Sequence, residues 1–247
     1  QGAALILTSV GKARSLGTAA DRWVSPHAGT EAWDHLYVSE RDNLHSSPAI
    51  RFAAAKLFDL TGFGVADMDF IDLYSCFPAA VQVSANEIGI PQDRPLTVTG
   101  GLTFAGGPLN NYVMHSVART VDLLRAKPGG KGLVTANGGL LTKHALCVYS
   151  TDAPERPFAW ADVQAEVDAT PRRAVAVDHD GEATVESYVV MYGPDGAPAV
   201  AHAACLLDDG RRTWANVSDL DTVGAMMTEE FCGRSGAIDG AGNLRLA

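Results

Sequence analysis

Residues Thr99-Gly-Gly-Leu-Thr-Phe-Ala-Gly-Gly-Pro-Leu-Asn-Asn-Tyr112 gather four glycines and a proline into fourteen positions. The stretch follows a β-rich run, Pro95-Leu-Thr-Val98, and precedes an apolar segment, Val113 to Leu124, that reads as a helix. A strand feeding a glycine-rich turn and then a helix lets backbone amides approach a substrate closely. A second glycine loop, Ala136-Asn-Gly-Gly139, lies between the strand-like runs Leu133-Val-Thr and Leu146-Cys-Val-Tyr149. Asn110, Asn111 and Asn137 sit in or beside these loops. Their amides suit carbonyl recognition, although asparagine also tolerates left-handed turns. Histidines 27, 35 and 45 lack metal-ligand spacing, and cysteines 76, 147, 205 and 232 form no CxxC pair. Cysteines so dispersed argue against zinc and a disulfide scaffold, and make a reducing cytoplasm the default compartment.

The elements that must hold these loops follow from periodicity. Gln1-Gly-Ala-Ala-Leu-Ile-Leu-Thr-Ser9 reads as a buried strand already under way. The start thus resembles the middle of something larger, although a processed terminus would read the same. Gly11 to Leu16 reads as a short helix, and residues 18–46 as irregular. Ser47-Pro48 opens a helix whose apolar residues fall at Ile50, Ala53, Ala54, Leu57 and Phe58. A strand from Phe70 to Tyr74 and a helix from Ala79 to Ile88 complete the set before the first loop. This order predicts a layered α/β domain with a mixed sheet.

Beyond Ser150 the texture changes. Residues 1–150 hold 12 Lys and Arg against 12 Asp and Glu; residues 151–247 hold 7 Arg, no Lys and 17 Asp and Glu. The whole net charge of −10 therefore belongs to the second part, and such a break marks a domain boundary. Thr184 to Tyr192, Ala199 to Leu207 and Arg212 to Val217 read as strands joined by the turns Pro194-Asp-Gly196 and Asp208-Asp-Gly210. Asp219 to Met227 reads as a short helix and the glycine-rich end as loop. The result is a small antiparallel β domain, OB-like in expectation. Its negative charge repels phosphate backbones, so nucleic acid is rejected as a ligand. No apolar run reaches the roughly 18 residues that a membrane span needs.

Three segments in order resemble the C-terminal half of the thiolase superfamily: Asp72-Leu-Tyr-Ser-Cys-Phe-Pro78, Gly100-Gly-Leu-Thr-Phe-Ala-Gly-Gly-Pro-Leu109 and Thr135-Ala-Asn-Gly-Gly139. Thiolases carry Asn-Glu-Ala-Phe or His-Asp-Cys-Phe at the first. They have a double glycine, four residues and Gly-His-Pro-Leu at the second, and Cys-x-Gly-Gly-Gly at the third. With the added acidic domain, the resemblance is to actinobacterial thiolase-like proteins of type 1, often labelled acetyl-CoA acetyltransferases. It implies three parts: residues 1–20 as the last strand and helix of a thiolase N-terminal half, 21–150 as the C-terminal domain, and 151–247 as the acidic β domain.

The departures bear on chemistry. The thiolase histidine falls on Gly107, the second cysteine on Ala136, and the Asn or His of the first motif on Tyr74. Neither glycine nor alanine moves a proton, so ordinary thiolysis by these groups is excluded under this alignment. The resemblance leaves Tyr74, whose phenol is a donor at neutral pH with an unperturbed pKa of about 10. His144, five residues past the second loop, is placed to take over the vacated proton shuttle or to serve as a satisfied strand histidine. Gly106, Gly107, Asn110, Asn137, Gly138 and Gly139 are the expected substrate contacts, to a coenzyme A thioester that is substrate or ligand rather than a resident cofactor. Two functions stay open. One is C–C bond formation or cleavage on an acyl-CoA, including a retro-aldol variant that needs no thiol nucleophile; the other is non-catalytic acyl-CoA binding or partner docking. The expected partners are acyl-CoA, a thiolase N-terminal half on the same or another chain, and a second copy in a homo-oligomer.

Overall fold

The computed structural model describes residues 1–246. Two compact units divide them: residues 1–36 with 45–170, and residues 37–44 with 171 onward. In the first unit the order is α1 (Val10–Ser15), β1 (Ser25–Trp33), α2 (Pro48–Thr61), β2 (Phe70–Asp72), α3 (Pro78–Ile88), α4 (Leu102–Ala105), α5 (Tyr112–Ala126), β3 (Lys131–Gly138), β4 (Lys143–Ser150), β5 (Ala159–Asp162) and α6 (Gln164–Asp168). The strands form one sheet in the order β2-β3-β4-β1-β5. β2 runs parallel to β3 and β1 parallel to β5, while β4 is antiparallel to both of its neighbours, so the sheet is mixed.

Helix α2 forms where Ser47 caps it, accepting from the Ile50 amide at 3.3 Å, and Pro48 occupies the first turn. Its buried face, Ala49, Ile50, Ala53, Ala54 and Leu57, packs with Ala85 and Ile88 of α3 on Leu133, Leu146 and Val148 of the sheet. Successive strand residues point to opposite faces, so Gly132, next to Leu133, faces away from that core. A Cβ there would meet Thr120 Cγ2 of α5 at 2.5 Å, so glycine is what lets α5 lie on the second face. The layers are thus α2 and α3, the sheet, and α5.

Four local expectations change. Residues 1–9 form no strand; Ile6 and Leu7 are 97% and 82% exposed. A strand needs a ladder partner, and the edges of the sheet are β2 and β5. The run Pro95-Leu-Thr-Val98 is not a strand either. One main-chain bond, from the Leu73 amide to the Leu96 carbonyl at 2.9 Å, and the Asp72 side chain hold it in place of a ladder. Conversely, the irregular-looking 18–46 contains β1, an interior strand. Pro26 and Gly29 hide it in sequence, but pairing on both sides, with a bulge between Pro26 and Ala28, overrides local propensity.

The fourth change lies in the second unit, a five-stranded antiparallel sheet, where the glycine-rich end forms two strands. Its elements are β6 (Gly181–Tyr192), β7 (Pro198–Leu206), β8 (Arg212–Val217), α7 (Leu220–Ala225), β9 (Ser235–Ile238) and β10 (Leu244–Leu246), in the sheet order β10-β9-β6-β7-β8. The short β9 and β10 are built by pairing, with Gly236 so close to Arg245 that a Cβ would meet its carbonyl oxygen at 2.5 Å. A parallel bridge from Asn216 to Asn243 brings the two ends of this sheet together, and the five strands curl toward closure. Val185, Ala203, Cys205, Val217, Val223 and Ile238 form its core.

Candidate functional site

Parallel strands β2 and β3 end side by side, and residues 73–77 and 139–142 leave from those ends; the first glycine loop, residues 99–111, is tied to the end of β2 through Asp72 and Ser75. Ligands of open α/β sheets bind beyond the carboxyl ends of such strands. Side chains tie residues 73–77 to the first glycine loop and to the end of β3. The Tyr74 amide donates to Thr135 Oγ1 at 2.9 Å, the Leu102 amide to Ser75 Oγ at 3.1 Å, and Asn137 Nδ2 to Cys76 Sγ at 3.3 Å. The rings of Tyr74 and Tyr112 meet edge to face, with centroids 5.2 Å apart.

Under them lies Asp72, fully buried and without an ion pair among the described residues. Its Oδ2 accepts from Thr97 Oγ1 at 2.8 Å, the Val98 amide at 2.9 Å and Thr99 Oγ1 at 3.4 Å. Its Oδ1 accepts from Ser116 Oγ at 2.6 Å and Tyr112 OH at 3.2 Å. Thr97 and Thr99 in turn accept from the Gly101 amide at 3.1 and 3.0 Å.

Tyr74 is half-buried, and no described group hydrogen-bonds its hydroxyl. Burial first, then the neighbouring Cys76 and Tyr112, push its pKa above the ordinary phenol value, so it stays protonated at neutral pH. Among the loop glycines the roles separate. The Gly101 amide is engaged by the two threonines, and that of Gly106 donates to the Leu102 carbonyl at 3.1 Å. Gly107 is exposed, its amide has no partner among the described residues, and a Cβ there would meet open space. Asn110 is exposed on a 3-10 turn, and Asn111 Nδ2 lies 3.4 Å from His115 Nε2. Asn137 has a buried Oδ1 with no hydrogen-bond partner. Gly138 ends β3, and Gly139 turns with φ 68° over Thr142. The only non-glycine residues with positive φ among those described are Leu109 and Leu141, at 52° and 51°, one in the first glycine loop and one in the turn 139–142. Strain of this kind collects at functional sites.

His144 is placed differently. It pairs with Asn137 across the β3–β4 ladder, but its ring is buried, with Nε2 3.6 Å from Asp34 Oδ2 and 3.5 Å from Ser47 Oγ. Ser47 Oγ donates to Asp34 Oδ2, and the Ala49 amide to Asp34 Oδ1 at 3.1 Å. Burial acts to raise the Asp34 pKa, but the hydrogen bonds from His144, Ser47 and the Ala49 amide outweigh it and hold the carboxyl below its usual value. This cluster braces the cap of α2. Sequence reasoning missed Asp72, Thr97, Thr99, Asp34 and Ser47 as parts of the apparatus. Asp72, a lone acid in the run Phe70-Ile-Asp-Leu73, was the available signal, because carboxylates are seldom fully buried without a purpose.

The architecture agrees with comparisons against known proteins. Residues 162–243 match the family described as the thiolase-like protein type 1 additional C-terminal domain. The crystal structure of a monomeric SCP2-thiolase like protein type 1 from Mycobacterium smegmatis is 34% identical, with a TM-score of 0.83 over 97% of this chain and 53% of that one. Peroxisomal 3-ketoacyl-CoA thiolase B of Candida tropicalis is 31% identical over 84 residues, which are 34% of this chain and 20% of the relative. Fold and comparisons together make this chain similar to thiolase-like proteins. Its likeness runs to the type 1 thiolase-like proteins, and the chain spans about half the length of the mycobacterial one.

Proposed function

We propose that this chain binds a coenzyme A thioester where the three loops converge, with the acyl carbonyls toward Tyr74, Asn137 and the Gly107 amide. The observation that carries this reading is the set of donors at one sheet edge: a protonated phenol with a free hydroxyl and an unengaged amide beside open space. Donors held in place before charge develops stabilise an oxyanion or enolate. Gly107 and Ala136 supply no group to activate a thiol, so the chemistry proposed is C–C bond formation or cleavage, retro-aldol in type: the β-hydroxyl proton of the substrate passes to solvent water, the Cα–Cβ bond breaks to an aldehyde and a thioester enolate, and Tyr74 gives the enolate carbon its proton. His144 enters as a support for α2, since its ring already faces Asp34 and Ser47. Isothermal titration with acetoacetyl-CoA, alongside thiolysis and aldol-cleavage assays, tests the reading. Micromolar binding with aldol cleavage and no thiolysis supports it, and absence of binding refutes it. Binding without turnover of either substrate would favour the non-catalytic alternative.

The same reading includes a thiolase N-terminal half as partner. Trp33 and Trp160, 48% and 58% exposed, share by register the sheet face on which α5 lies over β2, β3 and β4. An uncovered aromatic face of this kind fits a second apolar layer. The acidic unit, a curled five-stranded sheet, is read as an OB-like barrel that docks protein rather than nucleic acid. No helix among the described residues is long and apolar enough to cross a membrane.

A further inference from the structure

We propose that Asp72 is the positioning residue of this site: its buried carboxyl sets the shape of the first glycine loop and the stance of the Tyr74–Tyr112 pair. The inference rests on the proposed function only for what the loop holds.

The donors around Asp72 come from two directions. Thr97, Val98 and Thr99 lead into the glycine loop, and Tyr112 and Ser116 belong to the first turns of α5 that follow it. One side chain on the end of β2 thus ties down both ends of the loop. The carboxyl also decides which way the hydroxyls point. Each hydroxyl has one proton, so Thr97 that donates to Asp72 turns a lone pair toward the Gly101 amide. Thr99 donates toward Tyr112 or Asp72, and it too presents a lone pair to Gly101. Engaged in this way, Gly101 holds φ 78° and starts the turn of α4, which ends at Gly106 and leaves the Gly107 amide facing out. On the other side, the Tyr112 hydroxyl held between Thr99 and Asp72 fixes the ring that meets Tyr74 edge to face. Asparagine cannot substitute: its NH2 group would aim two protons at groups that already donate. Asp72 touches no substrate position itself; it acts through Thr97, Thr99 and Tyr112.

The test is Asp72→Asn in the full chain, read by amide hydrogen exchange and by separate titrations with CoA and acetoacetyl-CoA. Exchange at Gly101 and Leu102 is expected to rise about tenfold or more, with α2 and β4 unchanged. Affinity for acetoacetyl-CoA is expected to fall about tenfold while that for CoA, which lacks the acyl carbonyls, stays within about twofold. Unchanged exchange at Gly101, or equal losses for both ligands, overturns the proposal; a general loss of structure would weaken both ligands alike. If Asp72→Asn does not fold, Thr99→Val leaves the carboxyl in place and removes one arm of the network. Faster Gly101 exchange then supports the inference, and unchanged exchange overturns it. A wild-type protein that binds no acetoacetyl-CoA would sink the proposed function, while Gly101 exchange would still judge Asp72.

Discussion

At Gly107 a Cβ would meet open space and the backbone is not left-handed, whereas at Gly101 φ is 78° and a Cβ would lie 2.9 Å from Ser75 Oγ. Two glycines in one loop therefore differ in what they tolerate. Gly107→Ala is expected to leave stability within about 0.5 kcal/mol. Gly101→Ala is expected to cost about 1–3 kcal/mol through backbone strain and the displaced Ser75. Urea denaturation of the two variants checks the contrast. At Tyr74 the raised pKa means that the donor persists through neutral pH and is lost only as the pH climbs past the ordinary phenol value. If aldol cleavage is found, Tyr74→Phe should lower kcat about 100-fold, within the range for a general acid. It should also remove the alkaline limb of the pH profile. An unchanged profile would exclude Tyr74 as the donor.

At the scale of elements, the cap of α2 is where the sheet and helix layers are pinned. Ser47 accepts from Ile50, donates to Asp34 and sits beside His144, and its amide donates to Glu87 Oε1 of α3 at 2.9 Å. Ser47→Ala should therefore exceed a simple cap loss and reach about 2 kcal/mol, at the upper end for such positions. The folded pKa of Asp34 lies below its unfolded value. Its contribution is then fully present above the unfolded pKa of about 3.9 and is lost as pH falls through the lower folded value. Asp34→Asn should flatten the acid limb of the stability-versus-pH curve measured between pH 5 and pH 2, values of roughly the range where such groups titrate. An acid limb of unchanged slope would refute this role.

At the scale of the whole chain, residues 37–44 leave the first unit between β1 and α2 and belong to the second. What holds them is Arg212, fully buried on β8. It makes a two-pronged pair with Glu186 at 2.5 and 2.6 Å and donates to the carbonyls of Ser39 at 2.8 Å and Arg41 at 2.6 Å. Trp214 Nε1 adds a bond to Ser39 Oγ at 2.9 Å. Removing one member of a buried pair leaves the other uncompensated. Arg212→Met should accordingly destabilise the second unit by about 3–5 kcal/mol. Hydrogen exchange along β6 and β7 would report it, and unchanged protection there would show the clamp to be dispensable.

The sequence by itself determined the helices α2, α3 and α5, the strands β2, β3, β4 and β6 to β8, and the first glycine loop, because periodicity, caps and turn residues are local properties; the second loop, read over 136–139, instead continues β3 through Gly138 and turns only at 139–142. It also left Gly107 and Ala136 without a side chain that can move a proton, since residue identity needs no coordinates. Only the tertiary structure decided that the unpromising 25–33 is an interior strand and that the apolar 1–9 is not a strand. Residues 25–33 gain ladder partners far along the chain and residues 1–9 pair with no described strand, so pairing outweighs local propensity in both cases. Only the structure, too, separated His144 from Tyr74 as candidates. Both are titratable residues near glycine loops, but the ring of His144 turns to a carboxylate 110 residues earlier, and the hydroxyl of Tyr74 stays free. Burial and hydrogen-bond direction are long-range properties, and they brought Asp72, 25 and more residues from its partners in the loop and α5, to the centre of the site.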